Sequence, residues 1–220
     1  MKIVTIMFVL NEETFVKHTV KNASEHSDEV LIIDTGCVDN TIQIIKDLNL
    51  NNVLLYVYKQ NALRYKWEQN VIRDYGDKLA LDRNADYTFI QDADELIECD
   101  LHKIASTNKP YYSFKFFDIV YRKYVKEFGI HEHIRLFKTG KMAWIGKSHP
   151  SMSYEGNIIR KIINMVDNTC FFHLHRYNNF PKKDEDYPYK PRWDNTGLLN
   201  IPKDIKIINS LINFWEENGI

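Results

Sequence analysis

Asp92 and Asp94, one residue apart around Ala93 and followed at once by Glu95, have the residue types and spacing for metal-assisted chemistry in this 220-residue chain. Two carboxylates so placed offer several oxygens to a hard divalent cation, and such a cation can in turn hold a diphosphate. The residues ahead of them, Tyr87–Ile90, have high β-propensity and form an apolar run. The pair is therefore expected at the carboxyl end of a buried strand, the edge at which open α/β sheets bind their ligands. A second Asp-x-Asp, Asp184–Asp186, follows Pro181-Lys182-Lys183 in a polar stretch and reads as solvated loop.

The elements that must position the aspartates follow from the pattern around them. Ile3–Leu10 reads as a buried strand, with a polar turn and a helix from Asn11 to about Glu25. Glu29–Ile33 is a second strand, and a helix capped by Asp39 or Asn40 runs through about Leu48. Val53–Tyr58 is a third strand. A helical pattern then runs from about Ala62 to Leu81 through Trp67, Val71, Ile72 and Tyr75, with Gly76 as a candidate break. Alternation of this kind specifies an α/β fold with a mostly parallel, Rossmann-like sheet flanked by helices. Asn11-Glu12-Glu13, Asp34 with Asp39, and Asp92 with Asp94 each follow a strand, so three loops should converge on one crevice. Helix capping by Asn, Asp and Thr explains any one of these sites as well, but less readily all three at one edge. Neither Gly-x-Gly-x-x-Gly nor a Gly-Lys-Ser/Thr phosphate loop occurs among only eight glycines, so phosphate binding would fall to a cation.

Composition bounds the function. The 29 basic and 30 acidic residues leave a net charge of −1, so no global field draws the chain to nucleic acid or an anionic membrane. Three widely spaced cysteines, Cys37, Cys99 and Cys170, fit a reducing compartment rather than a disulfide framework. The opening apolar run is too short to span a membrane, and the expectation is a cytoplasmic protein.

Three segments together resemble the family 2 glycosyltransferases of the GT-A fold: Val9-Leu10-Asn11-Glu12-Glu13, Val30–Thr41 with its Asp34-Thr35-Gly36-Cys37-Val38-Asp39, and Ile90-Gln91-Asp92-Ala93-Asp94-Glu95. The chain is most similar to the branch of lipopolysaccharide-core and peptide-modifying transferases. The resemblance implies that Val9, Asn11, Glu13, Asp34 and Asp39 surround the base and ribose of a nucleotide sugar. It further implies that Asp92, beside Ala93, reaches the ribose or metal, and that Asp94 ligates Mn2+ or Mg2+. Two departures stand out: Cys37 replaces a serine, and Gln69 of Glu68-Gln69-Asn70 stands where an arginine or lysine is common, leaving more of the diphosphate charge to the metal.

The second half is expected to carry acceptor specificity. Tyr111–Tyr121 reads as one strand of an antiparallel part. Arg135-Leu136-Phe137-Lys138, and Gly146-Lys147-Ser148-His149 with Pro150 in place of a glutamate, resemble the same branch. Inverting transfer needs a base for the acceptor hydroxyl. Glu132 is the first candidate and His149 the second; the plainer reading makes Glu132 a surface ion pair with Arg135. In a strand His131 and His133 share a face and Glu132 points away, so that trio is not a ready metal site. By the resemblance a C-terminal histidine completes the metal shell, His175 ahead of His173, although either could simply hydrogen-bond a backbone carbonyl.

Pro181, Pro188, Pro191 and Pro202, interleaved with Lys182, Lys183, Tyr187, Lys190, Arg192 and Trp193, exclude regular helix and suit a loop folding over the crevice, or a plain surface linker. Asp204–Asn218 reads as an amphipathic helix packed on the domain. The expected organisation is a catalytic domain over 1–176, divided into a nucleotide-sugar half (1–95) and an acceptor half (96–176), followed by lid and helix (177–220). The expected activity is metal-dependent transfer from a UDP-sugar to a saccharide, lipid carrier, peptide or modified nucleobase, with inversion. A nucleotidyltransferase or an inactive sugar-nucleotide-binding module are the alternatives.

Overall fold

The computed structural model describes residues 1–58, 69–114, 117–120, 124–127, 133–145, 151–159, 165–166, 171–174 and 199–200. The first half alternates strand and helix as its pattern requires: β1 (Ile3–Val9), α1 (Val16–His26), β2 (Glu29–Asp34), α2 (Thr41–Asp47), β3 (Val53–Val57), α3 (Gln69–Asp82) and β4 (Tyr87–Ile90). After β4 come β5 (Glu95–Ile97), α4 (Leu101–Ala105), β6 (Tyr111–Phe114), β7 (Phe117–Val120), β8 (Tyr124–Glu127) and β9 (His133–Lys138). The described remainder holds β10 (Met142–Ile145), β11 (Ser151–Tyr154), β12 (Asn157–Ile158), β13 (Met165–Val166), β14 (Phe171–His173) and β15 (Leu199–Asn200).

Among the described residues the main sheet runs β13-β6-β9-β4-β1-β2-β3. The block β4-β1-β2-β3 is parallel, and β9 joins β4 and β6 antiparallel, so the α/β class with a small antiparallel part is as the sequence indicates. Strand periodicity sorts β1 to two sides. Met7 and Val9 pack with Val16, Val20 and Ala23 of α1 and Ile45 of α2, whereas Val4 and Ile6 pack with Ile72 and Ala80 of α3. With α1 and α2 on one face and α3 on the other, the chain order reverses between β1 and β4. A crevice opens at the carboxyl ends of strands at such a switch point.

Two expectations are corrected. Gly76 does not break α3, which runs unbroken from Gln69 to Asp82. A Cβ there would come within 2.9 Å of Ile6 Cγ2, so the glycine lets the helix lie close on β1. Tyr111–Tyr121 is not one strand: β6 belongs to the main sheet, while β7 joins a second sheet of order β15-β8-β7-β14-β5. A third sheet, β10-β11-β12, packs Trp144 edge-on to Phe137 at 5.4 Å.

Of the remaining expectations, residues 62–68 of the third helix, the Gly146–Pro150 segment and the 204–218 helix lie outside the described residues. Within 177–202, β15 alone is described, paired with β8. No described helix is long and apolar enough to cross a membrane.

Candidate functional site

The first two strand ends form one bonded unit. β1 and β2 run in register to Val9 opposite Asp34, where the Thr35 hydroxyl donates to the Val9 carbonyl at 2.8 Å. Asn11, in the left-handed region at φ 57°, turns the chain, and its Oδ1 accepts from the Val38 N–H at 2.8 Å. The Glu12 N–H donates to Thr41 Oγ1 at 2.7 Å. Glu13 Oε2 accepts from the backbone N–H of Asn40 at 3.1 Å and from its side-chain amide at 3.0 Å, and the Glu13 N–H donates to Asp39 at 3.3 Å. Asp34 Oδ1 accepts from the Gly36 and Cys37 N–H groups at 2.9 and 2.8 Å, with Gly36 at φ 115° making the tight turn.

Neither helix start is capped by the side chain of its own N-cap residue, Phe15 for α1 and Asn40 for α2, so ordinary capping does not account for these loops. Asp39 accepts from the Thr41 N–H at 3.0 Å at the start of α2, and the same carboxylate ties down the Asn11–Glu13 loop. Burial raises its pKa, but hydrogen bonds from Thr41 and the Glu13 N–H outweigh this and hold it below the ordinary value. Cys37, in place of the expected serine, is partly buried, and burial pushes its thiol up to about 12, with Asp34 adding to the effect. It is neutral at physiological pH and accepts from the Asn11 N–H at 3.4 Å, a bond a serine oxygen could also accept.

The third strand end carries the aspartates. Asp92, Ala93 and Asp94 make a turn between β4 and β5, closed by the Glu95 N–H on the Asp92 carbonyl at 3.1 Å and by the Asp92 N–H on Glu95 Oε2 at 2.6 Å. Ala93 is buried against α1, its carbonyl accepting from Thr19 Oγ1 at 2.8 Å, and the Leu174 N–H reaches the Asp94 carbonyl at 2.7 Å. Below the turn, Gln91 Nε2 donates to the Glu95 carbonyl at 2.7 Å. Asp92 remains 40 % exposed in its side chain, so its carboxylate is still accessible to a ligand.

Two arginines face this turn, and neither was given a site role in the sequence reading. Arg135, which only the plainer reading of Glu132 puts on the surface, is buried. Its Nη2 donates to Glu95 Oε1 at 2.6 Å and to Asp92 Oδ2 at 3.2 Å. Burial works to lower its pKa, but Glu95 and then Asp92 keep it above the ordinary value, with Asp94 contributing less. Arg73 lies one helical turn after Gln69, which begins α3. Burial lowers its pKa; Asp92 and Glu95 pull it upward and Arg135 pushes it down. Among the described residues no hydrogen bond or ion pair fixes the Arg73 guanidinium. Arg73 thus brings a positive charge toward Asp92 and Glu95 that Gln69, an amide, does not carry. Sequence reasoning could have found it by allowing a shift of one helical turn.

Three acids, Asp92, Asp94 and Glu95, thus meet two guanidiniums, and Glu95 is engaged by Arg135 and the Asp92 N–H. Among the described residues no set of three or more His, Cys, Asp or Glu side chains could by itself hold a metal. Asp92 and Asp94 fit a cation that takes one or two carboxylates and completes its shell with phosphate and water, the usual habit of Mg2+. His173 is placed through its backbone, opposite Glu95 in the β14–β5 ladder. Glu132, His149 and His175 lie outside the described residues.

No family model and no curated protein matches the chain. Among solved structures, residues 1–349 of TarS from S. aureus match over 79 % of this chain and 60 % of that one, at 12 % identity and a TM-score of 0.56. A longer TarS structure matches with 37 % of its length at a TM-score of 0.54. The chain therefore spans less than two thirds of either. Glucosyl-3-phosphoglycerate synthase from Mycobacterium tuberculosis, in complex with Mn2+ and UDP-glucose, aligns over 54 % of this chain at 16 % identity; its TM-score of 0.38 is too low to bear on the assignment. The TarS matches establish a shared fold, in agreement with the GT-A-like sheet order, and nothing finer.

Proposed function

We propose that the chain is a glycosyltransferase that moves a sugar from a nucleotide diphosphate sugar, a UDP-sugar in the first instance, to an acceptor nucleophile with inversion. The observation that carries this reading is the placement of the Asp92-Ala93-Asp94 turn at the β1/β4 switch point, on the same sheet edge as the interlocked Asn11–Glu13 and Asp34–Asp39 loops. In it Val9, Asn11, Glu13, Asp34 and Asp39 frame the nucleoside, Asp92 accepts from it, and Asp94 takes the larger share of a bound Mn2+ or Mg2+. The metal, when bound, offsets charge on the leaving diphosphate, the step at which electrostatic stabilisation counts most. Arg73 supplies a further positive charge. Glu132, with His149 as the alternative, is assigned as base for the acceptor hydroxyl, and His175 as the additional metal ligand.

A thermal-shift panel of nucleotide sugars with and without Mn2+ tests the donor assignment, since a ligand that binds only the folded state raises its melting point. The expected result is a Mn2+-dependent shift with one UDP-sugar and metal-dependent release of UDP. An Asp94→Ala variant should fold but release none. Formation of pyrophosphate from a nucleoside triphosphate and a sugar phosphate would assign nucleotidyl transfer instead. Absence of any nucleotide-dependent shift in the wild type would overturn both.

A further inference from the structure

Asp92 and Asp94 look equivalent in sequence, but the fold treats them differently. The Asp92 carboxylate already has a cation: Arg135 Nη2 at 3.2 Å, from a side chain only 6 % exposed. That guanidinium is itself fixed, because the same Nη2 donates at 2.6 Å to Glu95 Oε1 on a side chain 2 % exposed. Glu95 grips the turn from the other side, its second oxygen accepting the Asp92 N–H at 2.6 Å. A single buried pair therefore holds both the backbone and the carboxylate of Asp92. The influence of Asp94 on Arg135 is smaller than that of either Glu95 or Asp92.

We propose that Arg135 is the positioning residue of this turn: by holding the Asp92 carboxylate it withholds that group from a divalent cation, commits it to accepting a hydrogen bond from the nucleotide, and makes Asp94 the principal protein carboxylate for the metal. This rests on the donor-site reading above. A carboxylate whose Oδ2 is held by a buried guanidinium must give up that contact before both its oxygens can ligate a metal. The same contact holds the carboxylate in one orientation, ready to accept from a nucleotide hydroxyl.

The test measures Mn2+ binding by the electron paramagnetic resonance signal of free Mn2+, without nucleotide, and UDP binding by calorimetry, without metal. Arg135→Met leaves Glu95 buried without its hydrogen-bonded guanidinium, a loss sufficient by itself to threaten the fold. The double variant Glu95→Gln with Arg135→Met therefore accompanies it: local net charge is unchanged, and the amide oxygen of the glutamine still accepts the Asp92 N–H. The expected result is Mn2+ binding tighter by roughly threefold or more and UDP binding weaker by a similar factor in the double variant, as release of one partly exposed carboxylate implies. Arg135→Lys should restore part of the wild-type pattern. Mn2+ and UDP affinities that stay at wild-type values, or fall together with the melting temperature, would overturn the inference while leaving the donor site standing. A wild type that binds neither ligand alone nor the two together would overturn the inference and the donor-site reading alike.

Discussion

Asn22 of α1 pairs with Ile97 of β5 as a neighbouring strand would: its side-chain Nδ2 donates to the Ile97 carbonyl at 2.9 Å, and its Oδ1 accepts the Ile97 N–H at 2.8 Å. The same oxygen accepts from Gln91 Nε2 at 3.3 Å. Asn22 is 1 % exposed, and a polar residue so buried on the inner face of an amphipathic helix needs all its partners. It connects the helix after the first strand end to both sides of the aspartate turn, since Gln91 precedes Asp92 and β5 follows Asp94.

Replacing Asn22 with Ala should therefore cost more than its volume suggests. Two backbone groups of Ile97 and the Gln91 amide would each lose a buried partner, at about 1–3 kcal/mol apiece before relaxation. The expected loss is about 3 kcal/mol in urea unfolding, together with a smaller Mn2+-dependent shift from UDP. A loss under about 1 kcal/mol would mean that water replaces the amide, a solvation this burial disfavours.

The buried carboxyl of Asp77 gives a pH signature. It accepts from Thr88 Oγ1 at 2.7 Å and from the Gly140 N–H at 2.9 Å, fastening α3 to the turn between β9 and β10. Burial lifts it from 3.8 to about 6 against the pull of those two donors, and Asp74 raises it further. The folded state therefore holds this proton more tightly than the unfolded chain. Its contribution to stability is fully present below about pH 4 and is lost as pH rises through about 6, an effect of up to about 3 kcal/mol. In Asp77→Asn that slope should disappear: with its oxygen on the Gly140 N–H and its NH2 on Thr88 Oγ1 the amide stands in for the protonated carboxyl, so the variant should match wild type at pH 4 and exceed it by pH 7.5. Parallel urea titrations of the two proteins across that range would contradict the assignment.

How much of this the sequence carried depended on the length of the interaction. The β1–β4 core was readable because period-two burial and strand-helix alternation are local signals, and the apolar run Tyr87–Ile90 pointed to the aspartates behind it. The Asn11–Glu13 and Asp34–Asp39 loops were placed at one edge correctly, but their mutual hydrogen bonds join residues 26 to 29 positions apart and left no local trace. Arg135 was beyond reach for the same reason. It sits 40 positions from Glu95, and in sequence its nearest acid is Glu132, which suggested a surface pair. Charge alternation cannot distinguish an arginine of an antiparallel strand whose side chain is buried from one in water. The Gly76 misreading is of another kind, since helix propensity counts the missing side chain as a cost and cannot register the close approach to β1 that it permits.

Gly76→Ala tests that last point. Alanine should favour the helix by up to about 1 kcal/mol. Its methyl group, however, would meet Ile6 Cγ2 at 2.9 Å, Ile6 Cδ1 at 3.1 Å and Ile33 Cδ1 at 3.3 Å, on a strand with no room to retreat. Overpacking of this sort costs about 1–3 kcal/mol, so a net destabilisation of about 1 kcal/mol is expected. The penalty should shrink in an Ile6→Val background, because the Cδ1 contact is gone and the shorter side chain can turn aside. Strict additivity in the double-mutant cycle would show that Ile6 is not what limits the site.

The last prediction concerns Arg73, the buried cation of α3 nearest the aspartate turn by its interactions with Asp92 and Glu95. Its guanidinium lies within electrostatic range of Asp92 and Glu95 and, among the described residues, no hydrogen bond or ion pair fixes it. An incoming diphosphate could take it as a partner without breaking a hydrogen bond or ion pair to any described residue. Arg73→Met keeps the length and apolar stem of the side chain and removes only the charge, so folding should survive. UDP affinity should fall by about tenfold, the effect of losing one charge-assisted hydrogen bond worth about 1.5 kcal/mol, while uridine, which carries no phosphate, should bind as before. Arg73→Lys should recover part of the loss, because a point charge replaces a planar fork. Calorimetry with UDP, UMP and uridine on the three proteins separates the outcomes. Equal losses for UDP and uridine would place Arg73 at the nucleoside or in the framework of α3, and an unchanged UDP affinity would leave the diphosphate to the metal alone.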